Sequence, residues 1–221
     1  MNTKEGLARY SAREAYQDYA IAVDYKKARF SGPLGGYRYR REQNAVRFLV
    51  DQLPSGIIVA DCPCGTGRWW PVLARRANRI IGLDLSDGMR KFARERAATM
   101  DLDIEVMAGD AERLPLTDES VDYSFSHALT KHLPVPIQYQ VLAELARIAR
   151  AGVICSFGVF THLNYEIWRR RKLEESYPVL FEELEWMAAA AKLRIRAMRK
   201  CTTPIGTERT ILFDKLGRAP A

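Results

Sequence analysis

The chain has 221 residues, 48% of them hydrophobic and 28% charged, a composition that supports one sizeable core and excludes disordered and fibrous classes. No run approaches the roughly 20 apolar residues of a membrane span, and the opening MNTKEGLARYS lacks the apolar centre of a signal peptide. The net charge is +7, and the four cysteines (Cys62, Cys64, Cys155, Cys201) show no framework spacing, so reduced thiols and a cytoplasmic location are expected.

Taken in chain order, residues 11–27 carry a weak helical stripe of Ala15, Tyr19, Ala22 and Val23. Proline and paired glycines in SGPLGG (31–36) predict a break, and residues 37–53 resume as helix. From Gly56 the grammar becomes strand, loop, helix: strands are expected over 57–60, 79–83, 104–108, 121–126 and 152–157, with helices over 69–77, 87–99 and 136–150. A basic helix (163–176), an apolar-striped helix (181–192) and two further strands (193–198 and 208–214) complete the chain. This alternation predicts a doubly wound α/β fold with seven mostly parallel strands, the last hairpin-like pair bringing in one antiparallel strand.

One domain is expected over 1–221. Residues 1–53 form a helical cap or lid, 54–160 a ligand-binding core, and 161–221 the basic helices and last strands. Residues 1–50 carry ten basic and five acidic groups, 51–160 twelve and fourteen, and 161–221 twelve and eight. The positive excess therefore sits on the flanks, as a solvated face or as a site for an anionic small molecule, an acidic lipid surface or RNA.

Doubly wound sheets bind ligands at the carboxyl ends of their strands, which puts the weight on the first loop, Asp61-Cys62-Pro63-Cys64-Gly65-Thr66-Gly67-Arg68. A P-loop would need Gly-Lys-Ser/Thr, and a dinucleotide fingerprint would place its third glycine at Trp70. Neither is present. Gly65 and Gly67 allow close backbone approach to a ligand. Asp84 ends the second strand, where a carboxylate accepts from ribose hydroxyls, and Asp110 follows the third, where it can accept from an exocyclic amine.

These residues resemble the class I S-adenosylmethionine-dependent methyltransferases, and the similarity extends through IIGLDLSDGMRKFARER, GDAERLPLTDESVDYSF and LTKHLP. Pro63 departs from the first glycine of the family's loop, in the manner of a bacterial branch with Asp-x-Pro-Cys-Gly-Thr-Gly-Arg. The resemblance implies a Rossmann-like methyltransferase fold, S-adenosylmethionine as cofactor and S-adenosylhomocysteine as product. It further implies that Asp61, Pro63, Cys64, Gly65, Thr66, Gly67 and Arg68 pass under the methionine part, that Asp84 holds the ribose, that Leu85 and Met89 sandwich the adenine, and that Asp110, Ala111 and Glu112 meet its edge. Ser126 and His127 then lie near the sulfonium.

The same loop carries His132, a neutral-pH base for a hydroxyl acceptor, with Lys131 where many relatives carry a first histidine. Tyr25, Arg29, Phe30 and Tyr37 flank the SGPLGG turn and are expected to line the acceptor or form its lid. No metal site is expected from His127, His132 and the cysteines. The Asn-Pro-Pro-Tyr pattern of amino-methylating nucleic-acid enzymes is absent after the fourth strand, which argues against DNA. A small or lipid-like, anionic acceptor is the expectation; an RNA or protein methyltransferase and a non-catalytic cofactor-binding module are the alternatives.

Overall fold

The computed structural model describes residues 32–171, 177–201 and 207–217. Eight strands form one sheet in the order β3-β2-β1-β4-β5-β8-β7, with the two-residue β6 pairing with β5. They are β1 (Ile57–Asp61), β2 (Ala77–Asp84), β3 (Asp103–Ala108), β4 (Val121–Ser126), β5 (Ala149–Phe160), β6 (Val179–Leu180), β7 (Leu193–Lys200) and β8 (Glu208–Lys215). Pairs among β1 to β5 are parallel, and β8 runs antiparallel to both β5 and β7. The order reverses between β1 and β4. That switch point opens a crevice at the strands' carboxyl ends, beside Asp61.

Among the described residues six helices cover the sheet: α1 (Gly32–Val50), α2 (Trp70–Leu73), α3 (Asp87–Ala97), α4 (Val135–Ile148), α5 (His162–Arg171) and α6 (Phe181–Ala190). On one face Val46, Leu49 and Val50 of α1 pack with Trp70 and Leu73 of α2, Ala93 of α3, and Val59, Ile80, Phe125 and Leu212 of the strands. On the other, Val141, Leu142 and Leu145 of α4 and Leu184 and Met187 of α6 pack on Val153, Phe157 and Phe213. The antiparallel pair β5 and β8 approaches so closely at Gly152 that a Cβ there would lie 2.2 Å from the Phe213 carbonyl oxygen.

The expected elements are present, with four differences. The break over 31–36 is replaced from Gly32 onward by helix, because Pro33 falls in the first turn, where its missing N–H is not needed. The helix expected over 69–77 shrinks to the four residues of α2, and Ala77 already belongs to β2. Ala149 and Arg150 open β5 instead of closing α4. The short β6 adds an eighth strand to the seven expected. The helix expected over 11–27 lies outside the described residues, and α1 packs on the sheet through Val46, Leu49 and Val50.

Trp70 is fully buried. The ring fills a slot between two glycines, as expected of a residue that packs against the sheet. A Cβ on Gly67 would come within 2.5 Å of the indole, and one on Gly82 of β2 within 2.8 Å. Trp70→Ala empties that slot, and a loss of about 3–5 kcal/mol in unfolding free energy is expected in urea denaturation; a loss below about 1 kcal/mol would contradict this account of the packing.

Candidate active site

Asp61 and Asp84 end adjacent strands at the crevice. Asp61 is wholly buried; its Oδ2 accepts from Trp70 Nε1 at 2.9 Å, and its Oδ1 has no hydrogen-bond partner. Burial holds this carboxyl well above the usual range, opposed by the indole hydrogen bond and reinforced by the nearby Asp84 charge. Asp84 Oδ2 accepts from the Gly65 amide at 2.8 Å and Oδ1 from the Ser86 amide at 2.9 Å. Burial raises its pKa too, against the lowering effect of those two amides and of Arg90.

The loop between β1 and α2 is stitched to both neighbouring strands. The Cys62 amide donates to the Phe125 carbonyl (2.9 Å) and the Cys64 amide to that of Leu83 (2.8 Å). Both thiols are buried and held protonated by desolvation, consistent with packing residues. Pro63, after a cis peptide bond, and Thr66 are half-buried. Gly65 (φ +54°) and Gly67 (φ +69°) both occupy the left-handed region, for different reasons. A Cβ on Gly65 meets nothing within 4 Å, so this position borders open space. A Cβ on Gly67 would meet the Trp70 ring, so this position also serves packing.

After β2, Ser86 caps α3 by accepting from the Met89 amide, and Arg90 Nη1 donates to the carbonyls of Asp84 and Leu85, each at 2.8 Å. This leaves Leu85 48% exposed at the crevice while Met89 is 6% exposed and packed. After β3, Asp110 Oδ1 accepts from the Glu112 amide at 3.0 Å, an Asx-type turn that positions Ala111 and Glu112, both half-buried.

At the end of β4 successive side chains point to opposite faces. Ser126 is buried against Cys155 of β5. His127 turns the other way: its ring stacks with Phe125 (6.2 Å, 12°), Nε2 lies 3.2 Å from Thr210 Oγ1, and Nδ1 lies 3.4 Å from Arg68 Nη2. Arg68 also covers the Trp69 ring at 4.4 Å and pairs with buried Glu42 of α1 at 3.1 Å. Beyond His127, Ala128 takes φ +65°, its amide donating to Ser156 Oγ at 2.8 Å. His132, half-buried, closes the 3-10 turn Thr130–His132. Lys131 pairs with Glu208 at 3.0 Å, so its charge is offset and does not act on His132 as an unmatched neighbour.

Tyr37 lies on α1, 39% exposed, with Arg41 beside its ring, while Tyr25, Arg29 and Phe30 fall outside the described residues. Glu42, Arg90, Glu208 and Thr210 join the site region unannounced by sequence. No local pattern marks them, because their partners are brought together only by the sheet.

Residues 59–152 match the family model described as a methyltransferase domain. The chain is 34% identical over 146 residues to malonyl-[acyl-carrier protein] O-methyltransferase of Yersinia pestis, covering 62% of this chain and 49% of that protein. It is 30% identical over 148 residues to demethylmenaquinone methyltransferase of Shouchella clausii, covering 60% of this chain and 62% of that protein. The match to a methyltransferase domain spans less than half of the chain, and the chain spans about half to three-fifths of the length of these relatives. In fold, the chain is similar to magnesium protoporphyrin IX methyltransferase from Synechocystis PCC 6803 with bound SAH, at a TM-score of 0.73 and 17% identity over 92% of this chain and 98% of that one.

The two loop glycines separate packing from binding. Gly67→Val should unfold the domain at markedly lower urea concentration, since the added branch collides with Trp70, whereas Gly65→Val should keep a cooperative transition with a loss of about 1–3 kcal/mol from backbone strain and fail to bind the cofactor in calorimetry. Equal stability losses in both variants would contradict the assignment.

Proposed function

We propose that the chain transfers a methyl group from S-adenosylmethionine to a small or lipid-like acceptor. One observation carries the reading: Asp84 binds the Gly65 amide, so the carboxylate suited to ribose hydroxyls and the glycine bordering open space form one cradle. Asp61 Oδ1, buried and without a partner, fits a cofactor that supplies a hydrogen-bond donor, because an unmet buried acceptor costs about 1–3 kcal/mol. When bound, the cofactor supplies an activated methyl on sulfur, which an acceptor lone pair displaces while the carbon–sulfur electron pair stays on sulfur.

The chain's residues hold and align. Asp61, Pro63, Cys64, Thr66 and Arg68 shape the loop beneath the methionine part. Leu85 offers an exposed apolar face to the adenine with Met89 packed behind it, and the Asp110–Glu112 turn presents the ring's edge partners. His127 walls the methyl end, and Ser126 supports it from the opposite face of the sheet. For a hydroxyl acceptor, a ring nitrogen of His132 takes the proton. The curated relatives suit this substrate range, since one is named for a carrier-bound malonyl group and another for demethylmenaquinone. The anionic character of the acceptor rests on the basic flanks alone.

Asp84→Asn should weaken cofactor binding roughly tenfold or more and also lower stability, because the amide group satisfies the Gly65 and Ser86 amides less well than a carboxylate; unchanged calorimetric affinity would remove Asp84 from the site. With a hydroxyl acceptor found by screening phenols, amines, thiols, carboxylates and quinone precursors, His132→Gln should lose roughly 10² to 10⁴ in rate at unchanged cofactor affinity, together with the acid limb of the rate profile. A full-rate variant with an unaltered profile would leave alignment as the whole mechanism.

A further inference from the structure

His127 follows β4, Cys201 follows β7 and Glu208 opens β8, all at the edge of the sheet that holds the cofactor loop. Their donor atoms (an imidazole nitrogen, the thiol sulfur and a carboxylate oxygen) lie within 4.8 Å of one another, and all three residues are buried. Donors about 2.0–2.3 Å from a tetrahedral zinc ion are separated by roughly 3.3–3.8 Å, so a contraction of about an ångström brings the set into register. A second observation points to a cation: Glu208 Oε1, in a side chain 9% exposed, has no hydrogen-bond partner. Among buried carboxylates such an oxygen is costly.

We propose that His127, Cys201 and Glu208 form a zinc site with three protein ligands and one open position, the pattern of zinc centres that take up water or a substrate atom. The site shares His127 with the proposed methyl end but does not rest on the methyl-transfer reading. The sequence expectation of no metal from His127, His132 and the cysteines leaves out Glu208, and only the sheet brings it and Cys201 to His127.

The surroundings set the terms. Lys131 holds the other Glu208 oxygen at 3.0 Å, as supporting partners orient ligating carboxylates. Thr210 lies 3.2 Å from His127 Nε2 and yields that position to the metal. Arg68 lies 3.4 Å from Nδ1, a contact too long to fix which ring nitrogen carries the proton, and its firmer bond is to Glu42 at 3.1 Å. The charges facing the Cys201 thiol are Glu208 and Glu42 on one side and Lys131 on the other; with burial dominant, they hold its pKa at about 12. Metal binding must therefore displace that proton, and the two nearby cations limit affinity relative to an all-cysteine site.

The test uses the full chain stripped with chelator and titrated with cobalt(II) and then zinc chloride. One equivalent of cobalt should give the near-ultraviolet charge-transfer band of a thiolate ligand and intense tetrahedral visible bands, and zinc should displace it. Zinc affinity should rise about tenfold per pH unit between pH 7 and 8.5, one proton being released per ion. Cys201→Ser should abolish the thiolate band, and His127→Gln and Glu208→Gln should each weaken zinc binding beyond the roughly 10–100-fold typical of supporting residues; circular dichroism and urea midpoints of the variants distinguish a lost ligand from a lost fold. No saturable binding in the wild-type chain, or a thiolate band that survives in folded Cys201→Ser, overturns the proposal. Calorimetry with S-adenosylhomocysteine on the same metal-free protein reports separately on the cofactor site, so failure of either reading leaves the other standing.

Discussion

Two carboxylates buried side by side at the ends of β1 and β2 are the most demanding feature of this molecule. Burial alone pushes both acids toward their neutral forms, and the charge of Asp84 adds to the pressure on Asp61. Two such groups persist at a folded protein's centre only if donors are built around them. The indole of Trp70 answers Asp61; the amides of Gly65 and Ser86 answer Asp84. Each donor fixes a stretch of chain: the indole sets where α2 begins, the Gly65 amide sets the arch of the loop, and the Ser86 amide sets the cap of α3. The left-handed φ at Gly65 and Gly67 follows from these constraints, as does the glycine at position 82, which leaves room for the ring.

The strands were legible because each is a short, apolar, turn-bounded run, and Val121–Ser126 was read to the residue. Binding loops followed from them, since strand ends in such a sheet are where ligands go. Misreadings arose where a local signal has two physical meanings. Proline and glycine in SGPLGG read as a break, yet proline in a helix's first turn costs nothing. Trp70 is legible as a residue that packs against the sheet, but its partner glycine at 82 lies twelve residues on and gives no local sign of pairing with it.

The wall that runs from α1 across β4 to β8 was not legible at all. Glu42, Arg68, His127 and Thr210 are separated by up to 168 positions in sequence, yet each touches the next in space. Arg68 and His127 lie in loops the sequence singles out, but Glu42 and Thr210 sit in no motif, and hydrophobic periodicity carries no information about which polar side chains meet across a sheet. Glu42 is buried and Arg68 half-buried in their pair, and removing Arg68 would strand the Glu42 charge. Helix α1 is thereby an electrostatic part of the site's wall as well as a layer of the core.

Charge balance along that wall bears on how an acceptor is chosen. Arg68 is matched by Glu42 and Lys131 by Glu208, each pair at hydrogen-bond distance and each with its carboxylate the more deeply buried partner. Matched pairs cast weak fields beyond their immediate neighbours, because the opposite charges cancel with distance. The net positive excess of the flanks therefore does not reach into this wall through these residues, and under the proposed function selection here would fall to shape, to hydrogen-bond donors and to the Glu208 oxygen that faces no donor of its own. An acceptor drawn by the basic flanks would meet, at the carboxyl edge itself, a surface that distinguishes atoms by the hydrogen bonds they complete and not by their sign of charge.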